Sequence, residues 1–153
     1  MGSGGGRLRA ATLLVAALWA GSLWTIGYVV APTLFLSLHD NVLAGTIVGF
    51  LLRSQAWLAI ACAVILYWLV RFGSFDPARA RSVLLIVCAM LACALVIHVG
   101  LQPVMAQLKL DAGPAGLAGS PQGRTFGMLH GVSQLFYLVE SVLGGWLVLK
   151  LRA

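Results

Sequence analysis

At 153 residues the chain has room for one domain, yet 61% of it is hydrophobic and only 9% charged, with a mean hydropathy of +0.99. Soluble domains are about half apolar and about a quarter charged, so a water-soluble core is excluded. Ten Lys and Arg against four Asp and Glu give a formal charge of +6. The basic residues stand singly between apolar runs instead of forming a stripe, which argues against a nucleic-acid partner and for a role in membrane orientation.

Crossing about 30 Å of hydrocarbon takes about 20 apolar residues, and four stretches qualify. The expected fold is an all-α integral membrane four-helix bundle. The first span covers 10–35, behind a Gly-rich tail at 1–9 expected to be flexible. Arg7 and Arg9 ahead of an apolar run imitate a signal peptide, but the run is too long for one and no small-residue cleavage site ends it. The second span, 42–70, contains Arg53; the third, 82–105, meets Pro103, which bends or ends it; the fourth covers 126–149. The Gly- and Pro-rich stretch at 106–125 reads as an outer loop and as the place for local mobility.

Arg7, Arg9, Arg71, Arg79, Arg81, Lys150 and Arg152 fall on one side of these spans, and Lys109 and Arg124 on the other. The positive-inside rule therefore puts both termini in the cytoplasm, with the loops around His39 and Pro114 outside. Cys62, Cys88 and Cys93 lie within apolar runs without C-x-x-C spacing and read as small hydrophobes. Small residues four apart at Ala17 and Gly21, Gly45 and Gly49, Gly127 and Gly131, and Ser141 and Gly145 are expected to let helices approach closely, within the chain or in a homo-oligomer.

Several local motifs run through all four spans: Trp19-Ala-Gly21, Val29-Val30-Ala31-Pro32 with Leu34-Phe35, Ala44-Gly45, Gly49-Phe50-Leu51, Pro103-Val104-Met105, and Phe126 followed by Leu129-His130-Gly131-Val132-Ser133. In this order and spacing the chain resembles the transmembrane-protein-205-like family, also catalogued as domain of unknown function 4149. The resemblance implies a four-helix protein of the bacterial inner membrane and brings no activity, substrate or cofactor with it. It departs from the family pattern at Leu51-Leu52, where a Leu-Phe pair is expected.

Two constellations could carry chemistry. A charge at the bilayer centre costs about 2.5–3.5 kcal/mol on insertion scales, so Arg53 and Glu140 require a reason. At 1.5 Å per residue they lie about 12 Å and about 18 Å into spans that run in the same direction, close enough for a buried pair, with separate snorkelling as the alternative. His130, Ser133, Gln134, Tyr137 and Glu140 recur at helical spacing as a polar stripe expected to face the bundle interior. His39, His98 and His130, with Met105 and Met128, collect toward the outer face, a donor set suited to haem or copper, although no two share a helix face. A Ser-His hydrolase is excluded by the lack of a G-x-S-x-G elbow.

Three uses stay open at this point. The chain is a small-solute or ion transport or accessory component, a haem- or copper-binding protein, or a non-catalytic assembly or stress-response partner within the lipid bilayer.

Overall fold

The computed structural model describes residues 3–73, 75–113, 116–117 and 120–152, with side chains from residue 5 onward. The described residues form six α-helices and two π-helical segments, without strands. The helices are α1 (Ser3–Trp24), α2 (Ala31–Ser37), α3 (Asn41–Phe72), α4 (Pro77–Leu95), α5 (Gln102–Asp111) and α6 (Pro121–Arg152). One π-segment, Thr25–Val30, joins α1 to α2; the other, Val96–Leu101, joins α4 to α5. The result is four continuous apolar rods, Gly5–Ser37, Asn41–Phe72, Pro77–Asp111 and Pro121–Arg152, each long enough to cross a membrane. We call them spans one to four.

The spans exceed the expected bounds because helix geometry outlasts the apolar window. Span one is helical back through the Gly-rich tail to Ser3, and Pro103 does not end span three, which continues to Asp111. Thirty-two residues make a rod of about 48 Å, so each span overshoots the hydrocarbon at both ends. The outer loop shrinks accordingly. Gly113 (φ 57°) and Gly116 (φ 74°) take the left-handed backbone there, while Pro114, Ala115, Ala118, Gly119 and Gly2 lie outside the described residues.

Spans two, three and four each have a local reason to begin. Asp40 accepts from the amides of Val42 (2.8 Å) and Leu43 (3.1 Å), and Asp76 from those of Ala78 (3.1 Å) and Arg79 (3.2 Å). Ser120 accepts from the Gly123 amide at 3.0 Å, ahead of α6 with Pro121 in its first turn. These caps satisfy amides that have no intrahelical partner. Both short connections force neighbouring spans to run antiparallel, and the principal packing is span one on two, two on three, three on four, and four on one. At one end Arg79 donates to the carbonyls of Lys150 (2.7 Å) and Leu151 (3.0 Å), tying the start of span three to the end of span four. The seven basic residues counted above gather at this end.

The two π-segments have a common cause. Pro32 and Pro103 each follow a π-segment at the second residue, and the residue before each proline bonds five residues back, Ala31 to Ile26 and Gln102 to Ile97. A proline removes an amide and crowds the preceding turn, and widening that turn relieves both. The likeness goes further. The buried positions Thr12, Ala16, Trp19 and Leu23 of span one recur 71 residues later as Val83, Val87, Met90 and Ala94, as does Pro32 as Pro103. Gln55, Ala59, Cys62, Ala63 and Leu66 of span two recur 78 residues later as Ser133, Tyr137, Glu140, Ser141 and Gly144. The two hairpins thus share a pattern of buried positions, the second with seven more residues between its paired positions.

The core is narrow, with Trp19, Leu23, Leu66, Met90 and Leu147 at its centre, and at most a third of any span's apolar window is buried. The outward faces present Leu14, Leu36, Leu85 and Trp146, the composition lipid requires. The close helix approaches are at Gly144, where an added Cβ would stand 3.1 Å from the Ala20 Cβ and 3.3 Å from the Met90 Cε, and at Gly27, where it would enter the Tyr137 ring. Gly144→Leu is therefore expected to destabilise the bundle by about 1–3 kcal/mol through overpacking, read as a lowered unfolding midpoint in detergent. Gly127→Leu, where an added Cβ meets nothing within 4 Å, should leave the midpoint in place.

Candidate functional site

Span four enters the bundle with one face inward. Ser133, Tyr137, Glu140, Ser141 and Gly144 are buried, whereas His130 and Gln134 are exposed. Adjacent helical positions diverge by about 100°, so Gln134 cannot share the inward face of Ser133. The stripe read from sequence therefore divides. Its deeper members line the interior; His130 lies outside, stacked on Phe126 at 6.0 Å.

Glu140 is 2% exposed and sits at the middle of this face. The Trp19 indole of span one approaches the carboxyl without closing a hydrogen bond, and Tyr137 and Cys93 lie within its electrostatic reach. The Tyr137 hydroxyl donates to the Leu23 carbonyl at 2.7 Å, and the Trp24 indole to the Ser141 carbonyl at 3.2 Å. Span four is thereby anchored to span one beside the first π-segment, where the backbone bonds change register. Across the bundle, Gln55 of span two is 3% exposed and was not singled out from the sequence, though an uncharged amide within an apolar run was the available signal.

Among the described residues, buried side-chain atoms without a hydrogen-bond partner are Trp19 Nε1, Gln55 Oε1 and Nε2, Glu140 Oε1 and Ser141 Oγ in the interior and Arg79 Nε at the basic end. A buried polar atom left in this condition costs about 1–3 kcal/mol, and such atoms in a native core mark places where water or an ion is held. Counted from the basic end, Glu140 lies about 18 Å deep and Gln55 about 25 Å. Glu140, Ser141 and Gln55 thus all lie in the middle part of the bundle.

Arg53 is not part of this interior. It is exposed on span two, in a cleft of about 520 Å³ between spans two and three, whose lining includes Phe50, Trp57, Leu95, His98, Val99 and Gln102. Span two begins at the end opposite the basic cluster, and side chains lean toward a helix N-terminus, so the guanidinium is carried toward that membrane surface. No Arg53–Glu140 pair forms among the described residues; one faces the cleft and the other the core.

The remaining sequence candidates also separate. His39 is exposed in the turn between spans one and two, His98 is in the cleft, Met105 is buried and Met128 exposed. Among the described residues no three His, Cys, Asp or Glu side chains come together as a metal site. An added Cβ at Gly21, Gly49, Gly127 or Gly131 would meet nothing within 4 Å, and at Gly45 only Phe35 at 3.8 Å. Gly21, Gly49, Gly127 and Gly131 thus have open space beside them, and Gly45 an ordinary contact with span one.

A family model described as a domain of unknown function, DUF4149, matches residues 14–114, about two thirds of the chain. The chain belongs to the DUF4149 family. No curated protein and no solved structure matches it. The matched part of this DUF4149 protein holds span one from residue 14, spans two and three and the whole Arg53 cleft; span four, with Glu140 and the Leu129-to-Ser133 motif, lies beyond it. Tyr137→Phe removes one interhelical hydrogen bond and is expected to cost about 1 kcal/mol, measured as a lower unfolding midpoint with an unchanged helical signal.

Proposed function

We propose that this protein is an ion-transport component of the bacterial inner membrane, with a path along the bundle axis past Gln55 and Glu140. One observation carries the reading: a mid-bundle carboxyl with an unpartnered oxygen, accompanied along the axis by an amide, a hydroxyl and an indole N–H in the same condition. Intramembrane ionisable groups that face a bundle interior mark ion and proton pathways. A single acidic side chain among neutral donors and acceptors suits protons or small monovalent cations, and its ionised form repels an anion. Tyr137 and Trp24 hold span four in place; Glu140 binds the passing ion; Gln55 hands it along. The π-segments beside Pro32 and Pro103 supply the loosened backbone that lets the outer halves of spans one and three move.

The experiment is flux into liposomes reconstituted with the protein, reported by an enclosed pH-sensitive dye and, separately, by a dye for monovalent cations. Wild type is expected to pass one of them above the empty-liposome leak, and Glu140→Gln to lose most of that flux with an unchanged unfolding midpoint. Wild-type protein no leakier than lipid alone, or Glu140→Gln with full flux, would overturn the reading.

The orientation belongs to the same proposal: the end that gathers seven basic residues is cytoplasmic, and the resemblance to transmembrane-protein-205-like proteins supports the four-span arrangement. Alkaline phosphatase fused after Arg152 is expected to be inactive, and fused after Gly116 active. The reverse pattern would invert the protein in the membrane.

A further inference from the structure

The cleft between spans two and three is chemically unlike the interior. Its polar side chains Arg53, His98 and Gln102 make no hydrogen bond or ion pair among the described residues, and no acidic residue is part of its lining. Thr46, also in the lining, spends its hydroxyl on the Val42 carbonyl at 2.8 Å. The cleft therefore offers donors with nothing to receive them. Its walls are Phe50, Trp57, Leu95 and Val99, and the second π-segment and Pro103 form its back.

Depth defines what can enter. Arg53 is twelve residues below Asn41, about 18 Å along a rod of about 48 Å. With the rod centred on about 30 Å of hydrocarbon, its Cα lies about 9 Å beneath the apolar boundary, and the side chain leans back toward that boundary. A cation so placed needs a counter-anion, and the chain has none to give. Of its four acidic residues, Asp40 and Asp76 cap helices at the ends of the rods, Asp111 accepts from Gln107 at 2.8 Å at the end of span three, and Glu140 is buried. A second copy would bring the same four, so it cannot neutralise Arg53 at this depth.

We propose that the cleft is a binding site for an anionic phospholipid of the leaflet opposite the basic end, with the headgroup phosphate on Arg53 and an acyl chain along Phe50, Trp57 and Val99. Phosphate oxygens accept from the guanidinium fork, and the carboxamide of Gln102 and the imidazole of His98 supply further donors. The site is separate from the Glu140 path, and either stands without the other.

Trp57 lines the cleft and reports its occupant. The whole protein is placed in nanodiscs containing phosphatidylglycerol or phosphatidylcholine with brominated acyl chains, and the quenching lost on Trp57→Phe isolates the Trp57 signal. The expected result is a preference of about fivefold for phosphatidylglycerol, the value of one basic residue at an anionic surface. Arg53→Gln should equalise the two lipids with the helical signal unchanged, and Ala56→Phe, which fills the cleft, should abolish the preference with Arg53 intact. Equal quenching in the wild type, a preference that survives Arg53→Gln, or quenching by neither lipid, as a protein partner seated in the cleft would give, overturns the proposal.

Discussion

Hydrocarbon supplies no hydrogen-bond partner, so within the membrane every backbone amide and carbonyl has to find one inside the protein. Helices meet that demand alone, which is why the chain forms four rods, and the demand is hardest to meet where a proline removes an amide. Pro32 and Pro103 are accommodated by turns that reach one residue further back. Tyr137 docks on the Leu23 carbonyl just ahead of the first of these segments, and the second contributes His98 and Val99 to the Arg53 cleft. Both candidate sites therefore rest on how the backbone absorbs two prolines.

The hairpin repeat sharpens the contrast between the sites. Gly27 and Tyr137 meet at the interface of spans one and four, and the equivalent positions in spans three and two are His98 and Ala59. The bulk has moved from one helix to the other. In the same register Cys62 stands where span four has Glu140, and Ser133 where span two has Gln55. Hairpins with a similar pattern of burial thus carry different polar groups, so the interior is not symmetric.

Charge placement follows the cost of burying it. Arg53 keeps its charge by facing outward and leaning toward water or a headgroup, while Glu140, on a shorter side chain aimed at the core, has no such route. Their proximity in depth suggested a pair; their separation onto two faces makes them two independent features. Glu140, Ser141 and Gln55 face inward with side-chain atoms that have no hydrogen-bond partner among the described residues.

Composition and hydropathy alone determined that this is a membrane protein with four spans, because a run of about 20 apolar residues has few other uses. The excess of basic residues on one side was equally legible. Helical spacing identified Ser133, Tyr137 and Glu140 as one face, since periodicity survives folding. What the helices do to one another was not legible. Gly144, Gly27 and Gly145 became the close contacts, and of these only Gly145 belongs to a four-spaced pair, because spacing gives a face but not the neighbour it meets. The hairpin repeat was hidden because equivalent positions hold different side chains, Trp19 against Met90 and Cys62 against Glu140, and only burial makes them alike. The separation of Arg53 from Glu140, the scatter of the histidines and the cleft itself were decided by the rotation of each rod about its axis. That rotation is chosen by packing summed over all four spans, and no single span encodes it.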